Sequence, residues 1–144
     1  MLAELIESGF GNSEDFNCAE KILYGANQAY QLGLNKDALK LSAGFGGGMG
    51  IGDTCGALTA SVMVLSLLFV KERAHESSKI KELTQKLFSN YRDEMGDINC
   101  TPLKAKHCHP EKKCYSVIFK AAQLLDKIIL EHKNEIIKEK VAIW

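Results

Sequence analysis

The stretch Ser42-Ala43-Gly44-Phe45-Gly46-Gly47-Gly48-Met49-Gly50-Ile51-Gly52-Asp53-Thr54-Cys55-Gly56-Ala57-Leu58-Thr59-Ala60 decides how this chain is read. Six of the chain's twelve glycines lie between Gly44 and Gly52. So dense a glycine loop can adopt positive φ repeatedly and lets other groups approach its backbone. It runs into Asp53-Thr54-Cys55, which reads as a helix start, with Asp53 as the N-cap and Thr54 and Cys55 as the first helical residues. There Cys55 would meet unpaired backbone N–H groups and the positive end of a helix dipole, both of which favour a thiolate. A thiolate is at once a nucleophile and a metal ligand, so the stretch is suited to preparing a sulfur for chemistry. The plainer alternative is a flexible hinge between two core helices, with Cys55 as a small buried apolar residue. The other cysteines of the chain count against it.

Two familiar readings of a glycine loop fail here. G-x-G-x-x-G matches in no register, because Met49, Ile51, Asp53 and Cys55 fall where glycines are needed. There is no G-K-[ST] ending, so it is not a P-loop. The residues before it, Lys36 to Ala43, look helical rather than strand-like, which argues against a dinucleotide-binding unit. On the far side of the loop, Thr54 to about Arg73 is apolar nearly all round and reads as a central helix surrounded by others. A helix from near Ser13–Asp15 to about Leu32 presents Cys18, Ile22, Ala26 and Ala29 at spacings of three and four, and Gly33 stops it. Another, about Lys79 to Asp93, carries a stripe of Ile80, Leu83, Leu87 and Tyr91. A last helix opens around Pro110 or Glu111 and runs to about Glu139. Residues 1 to 12 read as a short lead and Thr101 to Lys113 as a basic loop. With only two prolines and little strand-like alternation, the expectation is an all-α, single-domain bundle over residues 1–144. It should have about four to five helices, with the glycine-rich loop before the central one.

Charge and hydropathy exclude several classes. Eighteen basic residues balance eighteen acidic ones, so nothing points to nucleic acid or an anionic membrane surface. The most apolar run, Ala57 to Val70, is short for a membrane span and is interrupted by Thr59, Ser61 and Ser66. The first residues, with Glu4 and Glu7, do not look like a secretory signal. A cytoplasmic location is expected.

Five cysteines, Cys18, Cys55, Cys100, Cys108 and Cys114, then need a reason. Their number is odd, the expected compartment is reducing and the chain needs no staples, so a disulfide framework is not expected. Cys18, Cys55, Cys100 and Cys114 each fall in or near the first turns of an expected helix. If those starts share one end of a bundle, the sulfurs converge. Gly96-Asp97-Ile98-Asn99-Cys100 even echoes Gly52-Asp53-Thr54-Cys55, with Asp97 placed to cap a short turn. Converged thiols could cycle between dithiol and disulfide, hold an iron–sulfur cluster, or hold zinc or another soft ion. Four thiolates exceed what one disulfide requires, which favours the cluster among these. Gly46, Gly47, Gly48, Gly50 and Gly56 would supply backbone N–H groups or room for the cofactor. His107-Cys108-His109 could form a metal clip, but a solvated basic loop explains it as well. Cys108 reads as the odd thiol, a resolving cysteine at most. No G-x-S-x-G or positioned base supports a hydrolase.

The order of these signals resembles the redox-active family called C_GCAxxG_C_C. The likeness lies in Asn17-Cys18-Ala19 opening a helix, Phe45-Gly46-Gly47-Gly48-Met49-Gly50, Cys55-Gly56-Ala57-Leu58-Thr59, then Cys100, then Cys114 opening the last helix. It implies a helical protein whose four family cysteines are Cys18, Cys55, Cys100 and Cys114, with no counterpart for Cys108. Ala60 departs from the family's Cys-Gly-Ala-x-x-Gly pattern, and its methyl should narrow a close helix contact. The family is similar to a domain of the split-Soret cytochromes, which implies electron transfer and an iron–sulfur centre. No C-x-x-C-H is present, so covalent haem is not expected. The resulting expectation is an oxidoreductase-type redox protein whose partner is an electron carrier or a small redox substrate. A non-catalytic metal-binding protein and a helical interaction domain, with Trp144 at a homodimer contact, are the alternatives.

Overall fold

Fourteen residues with hardly a polar face, Gly56–Phe69, form the central helix α4. Leu58, Val64, Leu65 and Leu68 are wholly buried along it. The one buried hydroxyl, that of Ser61, donates to the Ala57 carbonyl at 2.7 Å, so no polar group is stranded. Around α4 pack α2 (Cys18–Tyr30), α5 (Ser78–Met95) and α7 (Tyr115–Glu131). Each is amphipathic and turns one stripe inward. Three shorter helices complete the set: α1 (Leu2–Glu7), α3 (Lys36–Lys40) and α6 (Cys100–His107). The computed structural model describes residues 1–138. Among these residues the protein is all-α, as the sequence pattern predicts, and every helix contributes buried side chains to one apolar core. No helix of the described residues is long and apolar enough to cross a membrane.

Local signals explain most boundaries. Asn17 caps α2 in a reciprocal capping box with Glu20, at 2.9 and 3.0 Å. Gly96, at φ +87°, ends α5 in the left-handed region. Among the described residues seven α-helices exceed the four to five expected, because two form where the periodicity is too short to read. The lead at residues 1–12 contains α1, whose Leu2 and Ile6 are buried against α2 and α7. The expected loop from Thr101 contains α6, which buries Leu103. The central and last helices are shorter than expected, ending at Phe69 and Glu131. Trp144, and the homodimer contact expected of it, lie outside the described residues.

Candidate thiol site

The glycine loop makes a left-handed turn: Gly47, Met49 and Gly50 all have positive φ and small positive ψ. At Gly48 (φ +62°) a Cβ would lie 2.5 Å from the Asp53 backbone nitrogen, so only glycine lets the loop fold back on itself there. The chain then extends through Asp53 and Thr54 and meets the segment after α5. Thr54 and Asn99 form an antiparallel bridge. The Cys55 N–H donates to the Ile98 carbonyl at 2.8 Å, and the Cys100 N–H donates to the Asp53 carbonyl at 2.6 Å. The two Gly-Asp…Cys segments that echo each other in sequence are thus tied together in space. Asp97 steadies the second one by accepting from the Ile98 and Asn99 amides.

Two capping expectations change as a result. Asp53 is not the N-cap of α4; Cys55 is, because the bridge holds Asp53 and Thr54 extended. Likewise Asn99, not Asp97, precedes α6, and Cys100 is its first residue. Cys18 is the first residue of α2. The starts of α2, α4 and α6 therefore carry one free cysteine each. The three sulfurs act on one another electrostatically. Cys18 raises the pKa of both Cys55 and Cys100, and Cys100 also acts on Cys55. Gly56 is what lets α2 and α4 meet here: a Cβ on it would lie 2.6 Å from the Phe45 carbonyl oxygen and 2.8 Å from the Cys18 Sγ. Gly46 likewise lies against the Asn17 side chain, which donates to the Ala43 carbonyl and pins the loop to the start of α2.

Electrostatics weigh against the expectation that Cys55 is the activated sulfur. Burial, and next the Cys18 sulfur, push its thiol up to about 12. The Ala57 and Leu58 amides of α4 favour the anion but are outweighed. Cys55 is therefore a thiol, not a thiolate, at neutral pH. Cys100 is also raised, by burial and then Cys18, with Lys104 pulling it back. It is half-exposed and lines an open hollow of about 450 Å³ with Thr101, Lys104, Ala105, Gly47 and Gly52. Beneath the thiols Tyr91 is wholly buried, its hydroxyl donating to the Val117 carbonyl at 3.0 Å. Burial, then Cys55 and Cys18, raise its phenol.

Cys114 is the fourth expected member, and the structure bonds it to Cys108 instead. This corrects the reading of Cys108 as the odd thiol, and it puts one disulfide in a chain for which no structural disulfide framework is expected. The physical reason is the His109–Lys113 bridge, a tight hairpin whose ends bring the two sulfurs together. The disulfide packs against the same apolar core as Cys18 and Cys55. Lys21, one turn after Cys18, feels both Lys113 and Cys18. Val117, one turn after Cys114, holds the tyrosine that senses Cys18 and Cys55.

The remaining candidates sort by their surroundings. His107 Nε2 is taken up by the Met95 carbonyl at 3.0 Å, and His109 sits in the hairpin, so the His107-Cys108-His109 clip is not formed. Gly50 faces open space, and Gly47 lines the hollow. For a cluster or zinc the donors fall short: three free thiols, with the fourth sulfur in a disulfide. Among the described residues no group of three or more His, Cys, Asp or Glu side chains is arranged to hold a metal ion. Lys104 and Tyr91 were not among the sequence candidates. Lys104 stands four residues after Cys100, a helical spacing, but only once the segment is known to be α6.

The family described as "Putative redox-active protein (C_GCAxxG_C_C)" matches residues 16–128. No curated protein and no solved structure matches the chain. The matched residues run from just before Cys18 to the last turn of α7 and contain all five cysteines, the glycine loop and the bridge between the starts of α4 and α6. The chain belongs to the C_GCAxxG_C_C family.

Proposed function

We propose that this protein is a thiol–disulfide oxidoreductase that moves electron pairs between a dithiol donor and a disulfide acceptor. The observation that carries the reading is that three free thiols, acting on one another electrostatically, stand in the same fold as a formed disulfide. Cys100, half-exposed beside the hollow, is the sulfur an acceptor meets first. Its thiolate attacks the acceptor disulfide and displaces one thiolate. Cys18, which acts on Cys100, then attacks the Cys100 sulfur of the mixed disulfide and displaces the second. Two protein thiols become a Cys18–Cys100 disulfide, and the acceptor leaves as two thiols, taking up the two protons. A dithiol donor reverses the sequence and restores the protein. Cys55, protonated and buried, is a reserve sulfur at the back of the site. A cytoplasmic setting suits a disulfide opened and closed in use rather than kept as a staple.

The test is reduction of a neutral small disulfide, bis(2-hydroxyethyl) disulfide, with trapping and mass analysis of the protein sulfurs. The wild type should form a Cys18–Cys100 bond during turnover. Cys18→Ser should stop at the Cys100 mixed disulfide, and Cys100→Ser should not react. Equal rates for all three proteins would end the reading.

A further inference from the structure

The hollow at Cys100 has a chemical character of its own. Its lining is two glycines, a threonine, an alanine, the sulfur and Lys104, with no acidic side chain. Lys104 follows Cys100 by four residues, one helical turn on the same face of α6. It makes no ion pair among the described residues. Gly47, also in the lining, has nothing within 4 Å of where a Cβ would be, so it offers bare backbone over open space. Gly52, in the same lining, is pressed against the Thr101 side chain. A volume of about 450 Å³ suits a small molecule. Cys55 is buried, so a molecule in the hollow meets sulfur at Cys100 and charge at Lys104.

We propose that the acceptor is a small anionic disulfide, one whose carboxylate rests on Lys104 while its sulfur–sulfur bond faces Cys100. This rests on the thiol–disulfide reading and adds a substrate class to it. Cys100 thiolate attacks the near sulfur of R–S–S–R, and RS⁻ departs and is protonated. Cys18 closes on Cys100 and releases the second RS⁻. The protein loses two electrons and the substrate gains them, giving two RSH. Lys104 also favours the Cys100 thiolate, and that effect acts on every substrate alike. Its hold on a carboxylate acts on anionic substrates alone, so the ratio of rates isolates it.

The experiment compares kcat/KM for 3,3′-dithiodipropionate, which is dianionic, and bis(2-hydroxyethyl) disulfide, which is neutral. The wild type should prefer the dianion at low salt and lose the preference as salt screens the charge. In Lys104→Gln the dianion-to-neutral ratio should fall about fivefold, the scale of one exposed ion pair. Lys104→Arg should keep the ratio and Lys104→Glu should reverse it. Circular dichroism checks that each variant folds as the wild type does. If the neutral disulfide turns over through Cys100 but the ratio is the same in all four proteins, the substrate class is wrong and the thiol reading stands. If neither substrate turns over in the wild type, the thiol reading fails and takes this proposal with it.

Discussion

Cys55 concentrates a conflict that single residues can settle. The first amides of α4 favour its anion, yet burial and the Cys18 sulfur oppose it more strongly and lift the thiol to about 12 from an ordinary value near 9. A raised folded value makes a definite prediction for stability. The contribution of the protonated thiol is fully present below pH 9 and is lost as pH rises towards 12. Urea midpoints measured from pH 8 to 11 should therefore decline in the wild type. They should decline less steeply in Cys55→Ala, though not stay flat, because the buried phenols of Tyr30 and Tyr91 shift in the same sense. Identical slopes would mean that Cys55 ionises as freely in the folded protein as in the unfolded chain. Gly56 gives a second test at this scale. Alanine there would usually help a helix, but its methyl would press on the Phe45 carbonyl and the Cys18 sulfur. Gly56→Ala should cost about 1–3 kcal/mol in urea denaturation, the range for overpacking, and should change the alkylation rate of Cys18. A variant as stable as the wild type would show that the contact yields without strain.

At the scale of elements, the sequence shows the long helices plainly and the short ones poorly, for a physical reason. α5 and α7 each repeat an apolar face over more than four turns, α4 is apolar nearly all round for about four, and α2 adds a capping signal at Asn17. α6 has eight residues, carries Lys104, Lys106 and Pro102, and buries only Leu103, so its pattern looks like a basic loop. What holds it is tertiary: the Cys100 amide bonded to Asp53, and the disulfide hairpin that follows. The placing of Cys18, Cys55 and Cys100 at helix starts is legible in the order of caps and apolar stripes. The withdrawal of Cys114 is not, because pairing depends on a short hairpin, the cysteines six positions apart, whose turn, with Lys113 at φ +49°, no glycine announces. That hairpin is itself testable. Closing so short a loop should stabilise the fold by about 2 kcal/mol, so Cys108→Ser should lose roughly that amount in urea denaturation. The wild type under strong reductant should match the variant. No difference between oxidised and reduced wild type would show that the hairpin is formed equally well without the bond.

The whole molecule brings several helix starts to the sulfurs and fastens its first helix elsewhere. α1 precedes the residues matched by the family, which begin at 16, and it is too short to persist alone. Asp126, on α7, supplies what α1 lacks. Its carboxylate accepts the Leu2 and Ala3 amides at 3.0 and 2.9 Å, serving as a cap from across the fold, and also accepts the buried Tyr30 hydroxyl of α2. One side chain thus joins α1, α2 and α7 and seats Leu2 and Ile6 over the core. Asp126→Ala would leave two helix-end amides and a buried phenol without their acceptor, at a cost of about 3 kcal/mol. Asp126→Asn keeps an acceptor oxygen and should lose less. Hydrogen exchange gives the sharper readout, since the amides of residues 5–8 should lose protection in Asp126→Ala while those in the middle of α4 stay slow. If α1 remains as protected as in the wild type, burial of Leu2 and Ile6 alone holds it, and the carboxylate is incidental to the docking.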